Sequence, residues 1–373
     1  MSKFSTRKAA PQTARTRISV RNVRLVTGLV LFSFVLLHLI NHALGLVSIE
    51  AMEAMRSWRV ALTRSLPGTT ILLMSAVIHA IVGVEKIVSR RISAISPRGL
   101  TQIATGILIP VLLANHLIGT RVAHELFGVK DSYDYVLWAL WPNYAWRQAL
   151  LIALVWGHAT IGLYMWLRLK DWFKPIQGVL FALAVLIPTL AFAGFAVAGR
   201  KFHATQEFAR PITDEQYSTL VWLMDLALYL ALALIAAVAL IKLVQWFTSG
   251  LKPRVAVTYN GSVETKAPAG LTLLEISQGA NIPHASVCGG RARCSTCRVQ
   301  IVSGAEQLDP PGADEARTLK RAGISDPSVR LACQIRPQNN ISVIPLVPTE
   351  STGKRGRHGD KYDRGVEKTV TLM

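Results

Sequence analysis

Four cysteines are all that the chain contains, and three of them, Cys288, Cys294 and Cys297, stand in the single run CGGRARCSTC. The fourth, Cys333, follows after 35 intervening residues. Three thiolates from one tight loop and one from a distant segment are the donor set of a 2Fe-2S cluster. Such a loop must bend around an inorganic core, and Gly289, Gly290, Ala292 and Ser295 keep bulky side chains out of its way. A thiolate cage for zinc is built from two CxxC pairs, and only one is present. Disulfides would require all four cysteines to lie outside the cytoplasm, against the charge distribution described below. A Rieske centre replaces two cysteines by histidines, and only His284 lies nearby.

A second group of donors lies far upstream. His38, His79, His116 and His158 each stand inside a separate long apolar stretch. Ionisable side chains within a bilayer are costly and mark function, and neutral imidazole suits haem iron. Counted from the nearest basic residue, His79 lies 11 residues from Arg90 and His158 lies 12 from Lys170; His38 is 14 from Arg24 and His116 is 18 from Arg98. At 1.5 Å per residue the first two lie about 17–18 Å deep and the second two about 21–27 Å. Depth therefore pairs His79 with His158 and His38 with His116, as two bis-histidine sites. No CxxCH occurs, so such haems are of b type. An interhelical hydrogen bond would explain any one of these histidines, but four of them matched in depth point to ligands. His42, one turn beyond His38, is a substitute ligand or a quinone contact, whereas His124 and His203 read as interfacial residues.

The elements that hold these donors follow from composition. Of 373 residues 51% are hydrophobic, too many for one soluble domain. Six stretches are long and apolar enough to cross a bilayer, near Leu25–Val47, Thr70–Val88, Leu100–Val122, Ala149–Leu169, Ile176–Gly199 and Leu220–Phe247. The first is too long for a cleavable leader. The net charge of +19 is not that of a nucleic-acid binder, because the basic residues follow membrane topology. Seven precede the first stretch without an acidic residue among them, and the loops around Arg90 and Lys170 add seven more. The opposite loops mix their bases with Glu50, Glu53, Glu125, Asp131 and other acids. The positive-inside rule then places the amino terminus, and the cysteines after six spans, in the cytoplasm of a cell whose inner membrane holds the chain.

Residues 253–347 resemble a ferredoxin of the adrenodoxin and putidaredoxin type. Five residues separate the first two cysteines, as in that branch, where plant-type ferredoxins have four. Val255–Tyr259 alternates like a strand, Asn260-Gly261 is a hairpin turn, Ser262–Lys266 returns, and Leu271–Gly279 reads as a short helix. The resemblance implies a β-grasp fold. Residues 22–200 resemble the dihaem cytochrome b anchor of succinate:quinone oxidoreductases and fumarate reductases. The carrying segments are TGLVLFSFVLLHLIN at 27–41, IHAIVGV at 78–84, TGILIPVLLANHLIGTR at 105–121 and WGHATIGL at 156–163. That family pairs its histidines as depth does here, and it implies quinone binding. Arg121 is a candidate partner for a haem propionate; Glu50, Glu53 or His42 are candidates for handling quinol protons. Such anchors usually have five spans, and the sixth here returns the chain to the side of the ferredoxin.

The predicted organisation is multidomain: a basic segment (1–24), an all-α six-helix transmembrane bundle (25–248), an α+β ferredoxin (253–347), and a linker (348–373) that starts an output domain. Val366–Met373 resembles the opening strand of a class III nucleotidyl cyclase. Together with the ferredoxin run it suggests the regulatory part of a bacterial adenylate cyclase, without a catalytic domain of its own. The expected function is redox sensing by two b haems and a 2Fe-2S cluster, responsive to quinone. The alternative is an oxidoreductase working between a cytoplasmic donor and the quinone pool. In that case a reductase would dock on Glu306, Asp309, Asp314 and Glu315. The expected partners are lipid, quinone and an output domain or redox protein, with a homodimer open and nucleic acid excluded.

Overall fold

The computed structural model describes residues 20–89, 97–205, 207–249 and 251–348. Most of the basic segment, Arg90 and the cyclase-like strand at 366–373 lie outside the described residues. Six helical segments are long and apolar enough to cross a membrane: Val20–Leu46, Leu66–Ser89, Pro97–Phe127, Ala145–Leu167, Phe173–Thr205 and Asp214–Thr248. The chain is thus a membrane protein in its first two thirds. These segments hold α1 (Val20–Ala43), α3 (Leu66–Ser89), α4 (Pro97–Leu117), α7 (Ala145–Leu167), α8 (Phe173–Thr205) and α9 (Asp214–Ser249). Their outer faces keep Leu, Ile and Phe exposed, as lipid contact requires.

Three short helices join the long ones at the end of the bundle away from the ferredoxin: α2 (Ile49–Thr63), α5 (Ala123–Phe127) and α6 (Tyr133–Leu140). Ser48 starts α2 by accepting from Ala51 N–H at 3.0 Å. The helix folds back onto the bundle, burying Met52 and Arg59. Asn41, fully buried on α1, holds it there by donating to Met52 O at 2.7 Å. Gly45 and Gly194 let α1 and α8 meet backbone to backbone, since a Cβ on either would overlap the other helix. Just after His116 the helix widens into a π turn, Ile118–Val122. Tyr135 of α6 donates to Gly119 O at 3.0 Å and so satisfies a carbonyl within that turn.

The second domain follows α9 without a long linker, its first strand β1 (Arg254–Tyr259) starting five residues after Ser249. Four more strands complete one mixed sheet: β2 (Val263–Pro268), β3 (Arg298–Ser303), β4 (Val329–Leu331) and β5 (Ile341–Pro345), in the order β2-β1-β5-β3-β4. β1 and β2 form a hairpin around Asn260-Gly261, both at positive φ (50° and 70°) as a type I′ turn demands. β5 runs parallel to β1 in the middle of the sheet. Helix α10 (Leu273–Gly279) opens with a capping box between Thr272 and Glu275. It packs with α11 (Ala313–Arg321) around Val257, Tyr259, Leu273, Val299, Leu331 and Val343.

Candidate functional site

The cysteine loop is shaped by its backbone. Gly289, Gly290, Ala292 and Ser295 all adopt positive φ, from 49° to 78°, which turns successive N–H groups inward. Arg291 N–H points to Cys288 Sγ at 3.3 Å, and Cys288 N–H to Cys294 Sγ at 3.3 Å. Thr296 Oγ1 lies 3.0 Å from Cys294 Sγ, and Gln334 Nε2 donates to Cys333 Sγ at 3.4 Å. Cys333 is brought in from the segment after β4, fixed by Ala332 N–H donating to Cys297 O at 2.9 Å. All four thiols are free, and three of them are buried.

Electrostatically the thiols fall into two pairs. The Cys294 thiol and three backbone amides pull Cys288 down to about 5, while its neighbour Cys294 is pushed up. Cys297 is likewise pushed up beside Cys333, which is lowered. Anionic sulfur is thus favoured at one member of each pair and disfavoured at both together. Four converging thiols with N–H and hydroxyl groups around their sulfurs fit a 2Fe-2S cluster, which Cys288, Cys294, Cys297 and Cys333 would hold. His284 is not part of it. Its Nδ1 is tied to Ser277 Oγ at 2.8 Å, and burial holds the imidazole down at about 4.

In the bundle the histidines meet in the pairs that depth suggested. His79 on α3 and His158 on α7 have ring centroids 6.2 Å apart, and His38 on α1 and His116 on α4 lie 5.9 Å apart. With metal–nitrogen bonds of about 2.0–2.1 Å, two imidazoles on opposite sides of one metal have centroids roughly 6 Å apart. The first pair lies toward the ferredoxin and the second at the far end.

The pairs differ in their surroundings. Thr27 Oγ1 stands 3.2 Å from His79 Nδ1, and Thr105 Oγ1 stands 3.2 Å from His158 Nδ1. Gly28 and Gly106 make room for the rings: a Cβ there would come within 3.1 Å of His79 and 3.0 Å of His158. Gln102 lies across the mouth of this site, its Nε2 at 3.1 Å from His158 Nε2 and its Oε1 buried without a partner among the described residues. At the far end His42 Nε2 is 3.3 Å from His38 Nε2. The Nδ1 atoms of His38, His42 and His116 are buried there and have no partner among the described residues.

All three rings are half-buried in the bundle. The matched ring separations are those of two imidazoles sharing one iron, and in that respect the residues present fit a haem at each pair.

Other predicted residues have simpler places. Arg121 forms an ion pair with Glu125 at 2.9 Å, one turn along. His124 bonds to Val129 O at 2.9 Å and His203 to Leu137 O at 3.3 Å. Glu53 binds Arg56 at 2.9 Å and accepts from Tyr133 N–H at 3.1 Å. Two acids of the expected docking patch are engaged inside the molecule. Glu315 is 1% exposed and bonds Arg330 at 3.0 Å and Leu331 N–H at 2.7 Å, bracing α11 against β4. Asp314 faces Arg317 at 3.1 Å and Arg21 of α1 at 3.9 Å.

Sequence reading missed Arg59, which is 8% exposed and sits under α2 beside Asn41 Oδ1 at 3.4 Å and the Phe34 ring. An arginine on the same helical face as Met52 and Met55, seven and four residues after them, was the available signal. It also missed the contact between the two domains. Arg291 donates to Met165 Sδ at 2.9 Å, Arg293 to Met165 O at 3.4 Å, and Arg168 to Val287 O.

The comparisons agree with the cysteine loop. A family model described as the 2Fe-2S iron-sulfur cluster binding domain matches residues 257–338. The 2Fe-2S ferredoxin-5 of Aquifex aeolicus is 32% identical over 96 residues, which are 26% of this chain and 99% of that protein. The mitochondrial adrenodoxin homolog of Saccharomyces cerevisiae is 36% identical over 22% of this chain and 49% of its own length. One component of the Na(+)-translocating NADH-quinone reductase of Chlamydia felis is 32% identical over 24% of this chain and 20% of its own length. The chain thus spans only part of these last two relatives. With its four thiols converging in a β-grasp sheet, the chain belongs through its C-terminal domain to the 2Fe-2S ferredoxin family, carried behind six apolar helices.

Proposed function

We propose that the chain moves single electrons between its 2Fe-2S cluster and two b haems in the bundle, held by His79 with His158 and by His38 with His116. When bound, each haem would supply a one-electron centre at its own depth. The observation that carries this reading is the seat of the cluster loop. Arg291 and Arg293, which lie between two cluster cysteines, reach Met165 on the last turns of α7. Met165 is seven residues beyond His158 on that helix, roughly 10 Å along its axis. The cluster end of the ferredoxin therefore faces the helix that carries a histidine of the nearer pair.

The resemblances extend this reading to a quinone as the reactant in the membrane and to a class III cyclase as the output that reads the redox state. The excess of basic residues before the first span and in the loops on the same side supports a cytoplasmic ferredoxin in a bacterial cell. The full chain, purified in detergent, is expected to give two b haems per chain by the pyridine haemochrome assay. Reducing the cluster should then reduce haem within the same molecule, independently of protein concentration. An intact iron–sulfur signal without any porphyrin spectrum would overturn the proposal.

A further inference from the structure

The bundle contains an internal repeat. Thr27-Gly28 is followed after nine residues by His38-Leu39-Ile40, and Thr105-Gly106 after nine by His116-Leu117-Ile118. The second helix of each unit repeats as well. His79-Ala80 is followed by Gly83 at two residues' distance, and His158-Ala159 by Gly162. Helix α1 packs on α3, and α4 on α7. Each unit thus has a Thr-Gly helix set against a His-Ala helix, and the geometry recurs: 3.2 Å from threonine oxygen to Nδ1 in both, and a glycine at which an added Cβ would come within 3.1 or 3.0 Å of the ring.

The direction of the threonine bond can be worked out. A hydroxyl has one hydrogen. In Thr27 it goes to Val23 O at 2.9 Å, and in Thr105 to Thr101 O at 2.8 Å, each one turn back in its own helix. The oxygen that faces the imidazole is therefore the acceptor, and the ring nitrogen carries the proton. A histidine protonated on Nδ1 keeps the lone pair of Nε2 for a metal, and the bond fixes its ring angle as well.

We infer that Thr27 and Thr105 are paired positioning residues, one from each half of the repeat, which hold His79 and His158 as Nδ1–H tautomers with Nε2 turned to a shared haem iron. This rests on the bis-histidine reading above. The far pair has no counterpart, since the Nδ1 atoms of His38 and His116 lack partners among the described residues. The repeat therefore places the same device twice, and both copies serve one site.

The test uses the full chain carrying Thr27→Val, Thr105→Val or both, with the 2Fe-2S electron paramagnetic resonance signal as the control for folding. His79→Ala first identifies which low-spin haem signal belongs to the nearer pair. In the valine variants that signal is expected to shift, and its haem to be held about 10- to 100-fold more weakly, the usual effect of removing a bond behind a metal-bound histidine. The far signal should stay in place. Thr27→Ser and Thr105→Ser, which keep the hydroxyl, should match the unaltered chain, and alanine should act as valine does. Two haems with an unmoved near signal in the valine and alanine variants would overturn the positioning role alone. A shift confined to the far signal would overturn it too. An unaltered chain without haem would overturn both this inference and the reading beneath it.

Discussion

The cysteine loop and the histidine bundle gather their candidate metal donors in opposite ways. In the loop, three donors lie within ten residues, and the N–H groups of Cys288 and Arg291 reach the sulfurs because residues between and beyond them turn at positive φ. In the bundle, the four candidate donors come from four helices, and the nearer pair is oriented by side chains of a neighbouring helix. A site made of local backbone depends on its own turn and on the sheet beneath it. A site made across helices depends on the packing of the whole bundle, including the close approach at Gly45 and Gly194. The two should therefore fail independently.

The strongest way to break that comparison is to remove one cluster donor. Cys333→Ser should abolish the 2Fe-2S signal and leave the haem content at its original value; loss of haem as well would show that the two sites share their stability. Next comes Glu315→Ala, which strands the Arg330 guanidinium in the ferredoxin core. Breaking a buried pair in this way costs about 3–5 kcal/mol. Chemical denaturation followed by cluster absorbance should show it, with the haem spectrum unchanged.

A partial effect is expected from His38→Ala, because His42 lies one turn away with its ring centroid 4.6 Å from that of His38. Far-site haem should persist in part and vanish in the variant lacking both histidines; equal loss in the single and double variants would exclude His42 as a stand-in. The smallest effect belongs to Arg168→Ala and Arg291→Ala between the domains. Single polar contacts from half-buried side chains are worth about 0.5–1.5 kcal/mol. Both cofactors should remain, and only the rate of haem reduction by the cluster should fall.

The same contrast explains what could be read from the sequence. The cysteine motif, the Asn260-Gly261 turn and the six apolar stretches are contiguous signals, and each appears as an element of the structure. The helices run past the apolar stretches. α1 is already helical at Val20, ahead of Leu25, because Arg21 and Arg24 continue a helix as well as leucine does. α2 and α6 went unread because they are short and amphipathic, below the length that a hydropathy window registers. Glu315 looked like surface acid because Arg330, which neutralises it, is 15 residues away and reaches it only through the fold. The pairing of the histidines was legible from depth. The threonines behind them were not, since a hydroxyl in an apolar helix ordinarily bonds to its own backbone.

The short passage from α9 to β1 has a kinetic consequence. Five peptide links separate Ser249 from Arg254, a reach of less than ~20 Å even at full extension. Tethered so closely, the ferredoxin meets the bundle at a local concentration in the millimolar range. A freely diffusing carrier would have to be that abundant to compete for the same seat, so the few contacts there suffice to keep it occupied.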